Sequence, residues 1–383
     1  MQHTSFTSKS GPRLLLLACA LSAASAAHAF SFQLTELGTL GQSGAAHASS
    51  MAFGLNAAGQ VVGVSNTGGP TPHEYGFIWT AGSMTALPSL DANGVYGSIA
   101  YGINAAGTVV GSGYTTGALS YHGIQWPAAS PGSPTDLGSG NSFSMAVAVN
   151  ASGTVAGQST NQAVRWVNGV MSSLPGLGGS VSGAWALNDA GQIVGDSGLS
   201  GDVTSHATLW TNGAVTDLGT LSGGTYSSAW GINAQGHVIG YADKDNNQNF
   251  TTGVLWKNGQ MIDLGTLGGD ASEARGINKN DWVVGGAWLS NNAVEHATLW
   301  SGSSWLDLNG AVLGGLGSFA YLELATAVND AGQIVGYGKT LSGDTRAFLL
   351  TPVPVPEPSS YALMLLGLGL LAGAARRRAA LLR

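Results

Sequence analysis

The sequence predicts an all-β fold, a seven-bladed β-propeller of four-stranded antiparallel blades, on three observations. A decapeptide of the form small-[Leu/Ile/Val]-Asn-x-x-Gly/Asp-x-Val/Ile-x-Gly recurs seven times, its Asn falling at Asn56, Asn104, Asn150, Asn188, Asn233, Asn278 and Asn329. The intervals, 38 to 51 residues, each carry four short strand patterns, which suits a propeller blade. The seventh repeat stops after its third strand, and a matching fourth-strand segment stands near Phe32.

The repeat spanning 227 to 265 shows how each element is dictated. Ser227-Ser228-Ala229-Trp230-Gly231-Ile232 reads as the first strand and Asn233-Ala234-Gln235-Gly236 as a tight turn. Asn opens such a turn by bonding the backbone that follows, and Gly closes it where positive φ is required. His237 to Tyr241 is the second strand, and a variable polar connection leads to the third, Thr252 to Trp256. Asn258-Gly259 is a hairpin signal that turns the chain into the fourth strand, Gln260 to Gly265. Third strands end on Trp79, Trp126, Trp166, Trp210, Trp256 and Trp300, with Leu350 in the seventh place, a column expected in the core.

Four residues before every Asn stands an alanine: Ala52, Ala100, Ala146, Ala184, Ala229, Ala274 and Ala325. Gly or Ala stands two before it, and between them fall Phe53, Tyr101, Val147, Trp185, Trp230, Arg275 and Thr326. Simple alternation of faces would give each inner strand a small face and a bulky one, the bulky face nesting against the next blade's small face. Closure follows from counting. Leu37-Gly38-Thr39-Leu40-Gly41 repeats Leu264-Gly265-Thr266-Leu267-Gly268, so the segment Phe32 to Gly41 is of the fourth-strand class and completes the blade begun at Glu323. The two ends then share one blade and no strand edge is left open at a seam.

The flanks read as targeting segments, which divides the chain into 1–29, 30–352 and 353–383. Lys9 and Arg13, the apolar run Leu14 to Leu21 and Ala27-His28-Ala29 form a secretory signal cleaved between Ala29 and Phe30. A rival lipoprotein-type reading at Leu17-Ala18-Cys19 leaves a very short apolar run. Cys19 is the only cysteine, so cleavage leaves no disulfide, thiolate metal site or cysteine nucleophile. At the other end come Pro356-Glu357-Pro358, an apolar segment from 359 to 375, and Arg376-Arg377-Arg378. Its length, about 26 Å as a helix, suffices for a transmembrane helix, with the arginines on the cytoplasmic side. This tail resembles the PEP-CTERM sorting signal. The resemblance implies secretion machinery and an exosortase-like sorting enzyme as partners, a membrane-tethered precursor, and delivery to the cell surface or an exopolysaccharide matrix.

The cassette His-Ala-Thr-Leu-Trp at His206 to Trp210 and His296 to Trp300, with Asp-Leu-Gly-Thr-Leu at Asp217 to Leu221 and Asp263 to Leu267, resembles the HAF repeat of extracellular bacterial proteins. Thr208 and Thr298 stand where that repeat has Phe, and the resemblance brings no catalytic residues with it.

Chemistry is sparse. Between residues 30 and 352, 7 Lys and Arg stand against 19 Asp and Glu, a balance of −12 that argues against nucleic acid as a partner. His73, His122, His206 and His296 recur near the start of third strands and read as structural. Asp243, Asp245 and Asn247 resemble the opening of a calcium loop, but Gln248 and Val254 stand where Gly and Glu are needed, so no metal or cofactor is expected beyond weak calcium binding. Trp282, Trp288 and Trp305 fall outside the regular column and are candidates for stacking on sugars. Asp196, Asp202, Asp243 and Asp245 could serve catalysis only if the fold paired them. The expectation is therefore a non-catalytic binding or structural module linked to polysaccharide or matrix. The alternative is a polysaccharide-active hydrolase or lyase on the same scaffold. Specificity is expected between the second and third strands, where the copies differ most.

Overall fold

In a computed structural model, residues 30–41, 47–68, 73–91, 93, 96–116, 120–138, 142–245, 250–353 and 366–369 are described. They form seven four-stranded antiparallel sheets, the blades of a propeller. The inner strands are Ser50–Leu55, Ser98–Ile103, Ser144–Val149, Gly178–Leu187, Ser227–Ile232, Gly268–Ile277 and Phe319–Val328. Closure follows the offset expected from the sequence. Phe32–Glu36 is the fourth strand of the last blade and pairs with Thr345–Pro352, Phe32 opposite Pro352 and Glu36 opposite Phe348. Phe32 is fully buried there with Phe319, Phe348 and Leu308.

The Asn turn does more than the sequence implied. In each turn the Asn amide bonds the carbonyl four residues on, as Asn104 does with Thr108 at 3.0 Å, and its Oδ1 accepts the Thr108 amide at 2.9 Å. Nδ2 then donates to the backbone carbonyl of the next repeat's Asn, at 3.0 to 3.2 Å in all seven copies, and Asn329 returns the chain to Asn56. The seven side chains thus form a closed circle of inter-blade hydrogen bonds. The outer turns are simpler. Asn168-Gly169, Asn212-Gly213 and Asn258-Gly259 all have positive φ at both residues, the two-residue hairpin geometry their sequence announces.

The small and bulky faces require a correction. Every inner strand is bulged at the same place, so that Ala52 opposes Gly63 while Gly54 opposes Val62, leaving Phe53 unpaired. The same register shift isolates Tyr101, Val147, Trp185, Trp230, Arg275 and Thr326. A bulge breaks the alternation of faces. The Ala four before Asn therefore faces one neighbouring blade and the Gly or Ala two before it faces the other. Ala52 packs with Val335 and Ala347 of the seventh blade. Gly54 comes so close to the second blade that a β-carbon would lie 2.9 Å from the Tyr101 carbonyl. The bulky residues do not nest between blades; they line the central channel.

The tryptophan column is buried, with Trp126 and Trp166 at 0% and 1% exposure. Four of its indoles also clip a blade to the preceding one, Trp126 to the Pro88 carbonyl at 2.8 Å, Trp166 to that of Leu137 at 2.7 Å, Trp210 to that of Pro175 at 2.7 Å and Trp256 to that of Leu218 at 3.0 Å. Among the described residues no helix is long and apolar enough to cross a membrane. The expected transmembrane helix at 359–375 lies outside the described residues except for 366–369, as do the signal segment 1–29, Pro356, Glu357, Pro358 and Arg376 to Arg378.

Candidate binding site in the central channel

The seven bulged side chains ring a cavity of about 490 Å³ on the propeller axis. At this level all seven blades aim variable residues at a shared space, and a bulge is a common device for re-aiming a side chain toward a site. The ring has two unlike halves. Phe53, Tyr101 and Val147, from the first three blades, are apolar apart from the tyrosine hydroxyl, and Phe53 and Tyr101 stack with centroids 5.9 Å apart. The other half carries the chemistry.

Trp185 and Trp230 stack at 5.6 Å and 16° between planes. Tyr241, on the second strand of the fifth blade, continues the series 6.1 Å from Trp230, and Tyr226, in the connection before that blade's inner strand, lies 6.0 Å beyond. Four aromatic rings thus descend from the loop-bearing face into the channel. The Arg275 guanidinium sits 4.1 Å over Trp230 and is held by Glu273 at 2.7 Å. Two donors in this group, Trp230 Nε1 and Arg275 Nε, are buried without a hydrogen-bond partner. Buried donors are seldom left so, and both belong to side chains lining the cavity.

Besides Glu273, three carboxyl groups stand on this side of the ring, Asp196 against the ladder and Glu295 and Glu323 on the Arg275 side. Asp196 accepts a hydrogen bond from the Trp185 indole, and burial pushes its carboxyl up to about 6 despite that bond and one from Ser228. Glu295 reaches inward over Gly286, where a β-carbon would collide with its carboxylate. Burial first, then repulsion by Glu273 and Glu323, raises it to about 8, with Arg275 opposing. Glu323 stands 3.9 Å from the Lys339 ammonium, and one of its oxygens is buried without a hydrogen-bond partner.

The residues singled out from the sequence are placed differently. Of the four aspartates, Asp196 alone enters the channel wall. Asp202 accepts the Ser180 amide, and Asp243 accepts the amides of Thr225 and Tyr226, so both secure loops. Asp245 lines a surface recess beside Lys244, and Asn247 lies outside the described residues. Among the described residues no His, Cys, Asp and Glu group is placed to hold a metal. Three of the recurring histidines brace their own blade, His122 to Asp136 at 2.9 Å, His206 to Asp217 at 2.9 Å and His296 to Asp307 at 2.7 Å, whereas the His73 ring lies beside Tyr75 at 6.3 Å. In the closing blade Arg346 and Glu36, 3.6 Å apart, take these places.

Trp282 packs edge-on to Phe30 at 4.8 Å and Trp305 is buried, its indole on the Gly265 carbonyl, so neither is a stacking platform. The variable connections between second and third strands are partly outside the described residues, at 69–72, 117–119 and 246–249. The clearest convergence of variable residues is the third position before each Asn. The signal was present in the sequence, since the positions on either side of it are held to Ala and to Gly or Ala while it ranges from Thr to Trp and Arg.

Residues 354–378 match the family model of the PEP-CTERM protein-sorting motif. The chain therefore carries the signal of an exported protein, anchored transiently in the membrane and processed by exosortase-like sorting machinery. No curated protein matches its sequence. Among solved structures, a streptogramin B lyase is similar with a TM-score of 0.49 and 11% identity, over 84% of this chain and 98% of that chain. A triple arginine-to-alanine mutant of AofleA from Arthrobotrys oligospora is similar with a TM-score of 0.35 and 10% identity, over 86% of this chain and 91% of that chain. Likeness at these levels says nothing about chemistry in the channel.

Proposed function

We propose that this is an HAF-repeat protein, sorted to the cell surface or extracellular matrix, whose channel binds saccharide without transforming it. The observation that carries the reading is the ladder Tyr226, Tyr241, Trp230 and Trp185, ending beside two unpartnered donors on Trp230 and Arg275. Sugar rings offer apolar C–H faces that suit aromatic stacking and hydroxyl edges that accept from such donors. A formal balance of −12 over residues 30–352 disfavours polyanions, while export by a PEP-CTERM tail fits a matrix ligand.

A second reading, a polysaccharide hydrolase or lyase, is favoured by one observation. Glu295, raised to about 8, keeps its proton at neutral pH and so has the form a general acid needs. A glycan panel titrated against the intrinsic tryptophan fluorescence of the purified protein, followed by product analysis, separates the two. Saturable quenching with unchanged glycan is expected, and release of shortened glycan would sink the non-catalytic reading.

A further inference from the structure

A second aromatic group lies on the same face, on the far side of the ring. Tyr96, in the connection before the second blade's inner strand, is 5.1 Å from Tyr114, which is 4.0 Å from Tyr121. Tyr96 and Tyr121 line a cavity of about 350 Å³ together with Asn66, Glu74 and Ile99. Tyr96 is 40% exposed, unusually open for a ring flanked by aromatic neighbours. Gly97 lets the strand pass so near the first blade that a β-carbon there would collide with the Glu74 carbonyl, which fixes the cavity floor. Tyr121 is pushed up to about 12, by burial first and then by Tyr114, Tyr101 and Glu74, which places those groups around it.

One strand, Ser98–Ile103, borders both this cavity and the channel. Ile99 lines the outer cavity and Tyr101 the channel, two residues on, a step of about 7 Å and comparable with one sugar unit. Tyr101 then stacks on Phe53 within the channel. The tyrosine group belongs to the second blade and three rings of the ladder, Tyr226, Tyr241 and Trp230, to the fifth, nearly opposite in a ring of seven. Both start in connections preceding an inner strand, hence on the same face.

We infer that the Tyr96, Tyr114 and Tyr121 cavity is a second subsite, and that the ligand is a polysaccharide chain lying across the channel mouth from the second blade to the fifth. A single sugar would occupy one group and leave the other unused; a chain joins them, and each added contact becomes intramolecular. The inference rests on the saccharide reading above, and the test separates their failures.

The full-length protein, wild type and the variants Tyr96→Ala, Glu74→Gln and Trp230→Ala, is titrated calorimetrically with cello- and chito-oligosaccharides from disaccharide to octasaccharide. In the wild type, affinity should rise about tenfold or more with length once both sites are bridged. Tyr96→Ala should flatten that rise and leave short-chain affinity unchanged, Glu74→Gln should act in the same direction, and Trp230→Ala should weaken every length. Because Glu74 is exposed, its variant answers any doubt that Tyr96→Ala misfolds. Short chains that bind through Trp230 with no length dependence, or a rise that survives in both subsite variants, overturn the second subsite and leave the saccharide reading intact. No binding at any length in the wild type overturns both.

Discussion

Each conserved residue of the repeat answers to a different physical demand. Asn was legible as a turn residue, since Oδ1 caps the backbone that follows, but Asp or Ser could do that. Its presence in all seven copies reflects the amide donor, which alone can reach the next blade's carbonyl. Asn104→Asp keeps the cap and removes the donor to the buried Asn150 carbonyl, which should cost about 1–3 kcal/mol in denaturant unfolding. A change under about half a kcal/mol would mean the circle of bonds is incidental. Glu295 was not legible at all, because its inward reach depends on Gly286 being opposite it in space. With its folded-state value raised from 4.5 to about 8, the folded protein holds a proton that the unfolded chain releases. Its contribution is present below about 4.5 and lost as pH rises toward 8. Thermal melts of wild type and Glu295→Gln should therefore agree near pH 4 and diverge toward pH 9, with the Gln variant melting higher by roughly 2–5 °C. A gap that does not vary with pH would contradict this.

At the scale of the element, the inner strand shows why a sequence pattern can be read correctly and still mislead. Small residues at two positions and variable ones between are plain in the sequence, and alternation places them on two faces. The bulge defeats that assignment because it needs knowledge of the partner strand, where Gly63, Gly111 and Gly157 oppose the conserved Ala. These glycines have no room for a β-carbon against the bulged backbone of the inner strand. Neighbouring positions on one strand should then respond in opposite ways. Ala146→Val, at 0% exposure between blades, should cost about 1–3 kcal/mol, whereas Val147→Thr, on the channel, should stay within about 0.5 kcal/mol. Similar costs at both positions, measured by urea unfolding, would restore the two-faced strand and remove the channel ring.

For the molecule as a whole, closure was legible because counting strands needs no geometry: the last repeat lacks one and Phe32 to Glu36 supplies it. The exchange of His and Asp for Arg346 and Glu36 in that blade shows the same brace rebuilt across the joined ends. Removing residues 30–37 should abolish cooperative unfolding, since it strips Phe32 from its cluster and opens a strand edge. A truncated protein melting like the intact one would mean that the seam carries no load. The chemistry of the channel was hidden for the complementary reason: Trp185, Trp230 and Arg275 come from separate repeats and meet only when their three consecutive blades pack side by side. The most direct measurement is a titration of the purified protein with the glycan panel, followed by tryptophan fluorescence and compared with Trp230→Ala. The account predicts saturable quenching in the wild type that disappears in the variant while its melting temperature holds. Quenching that persists in Trp230→Ala, or that arises with no dependence on the channel, would contradict it.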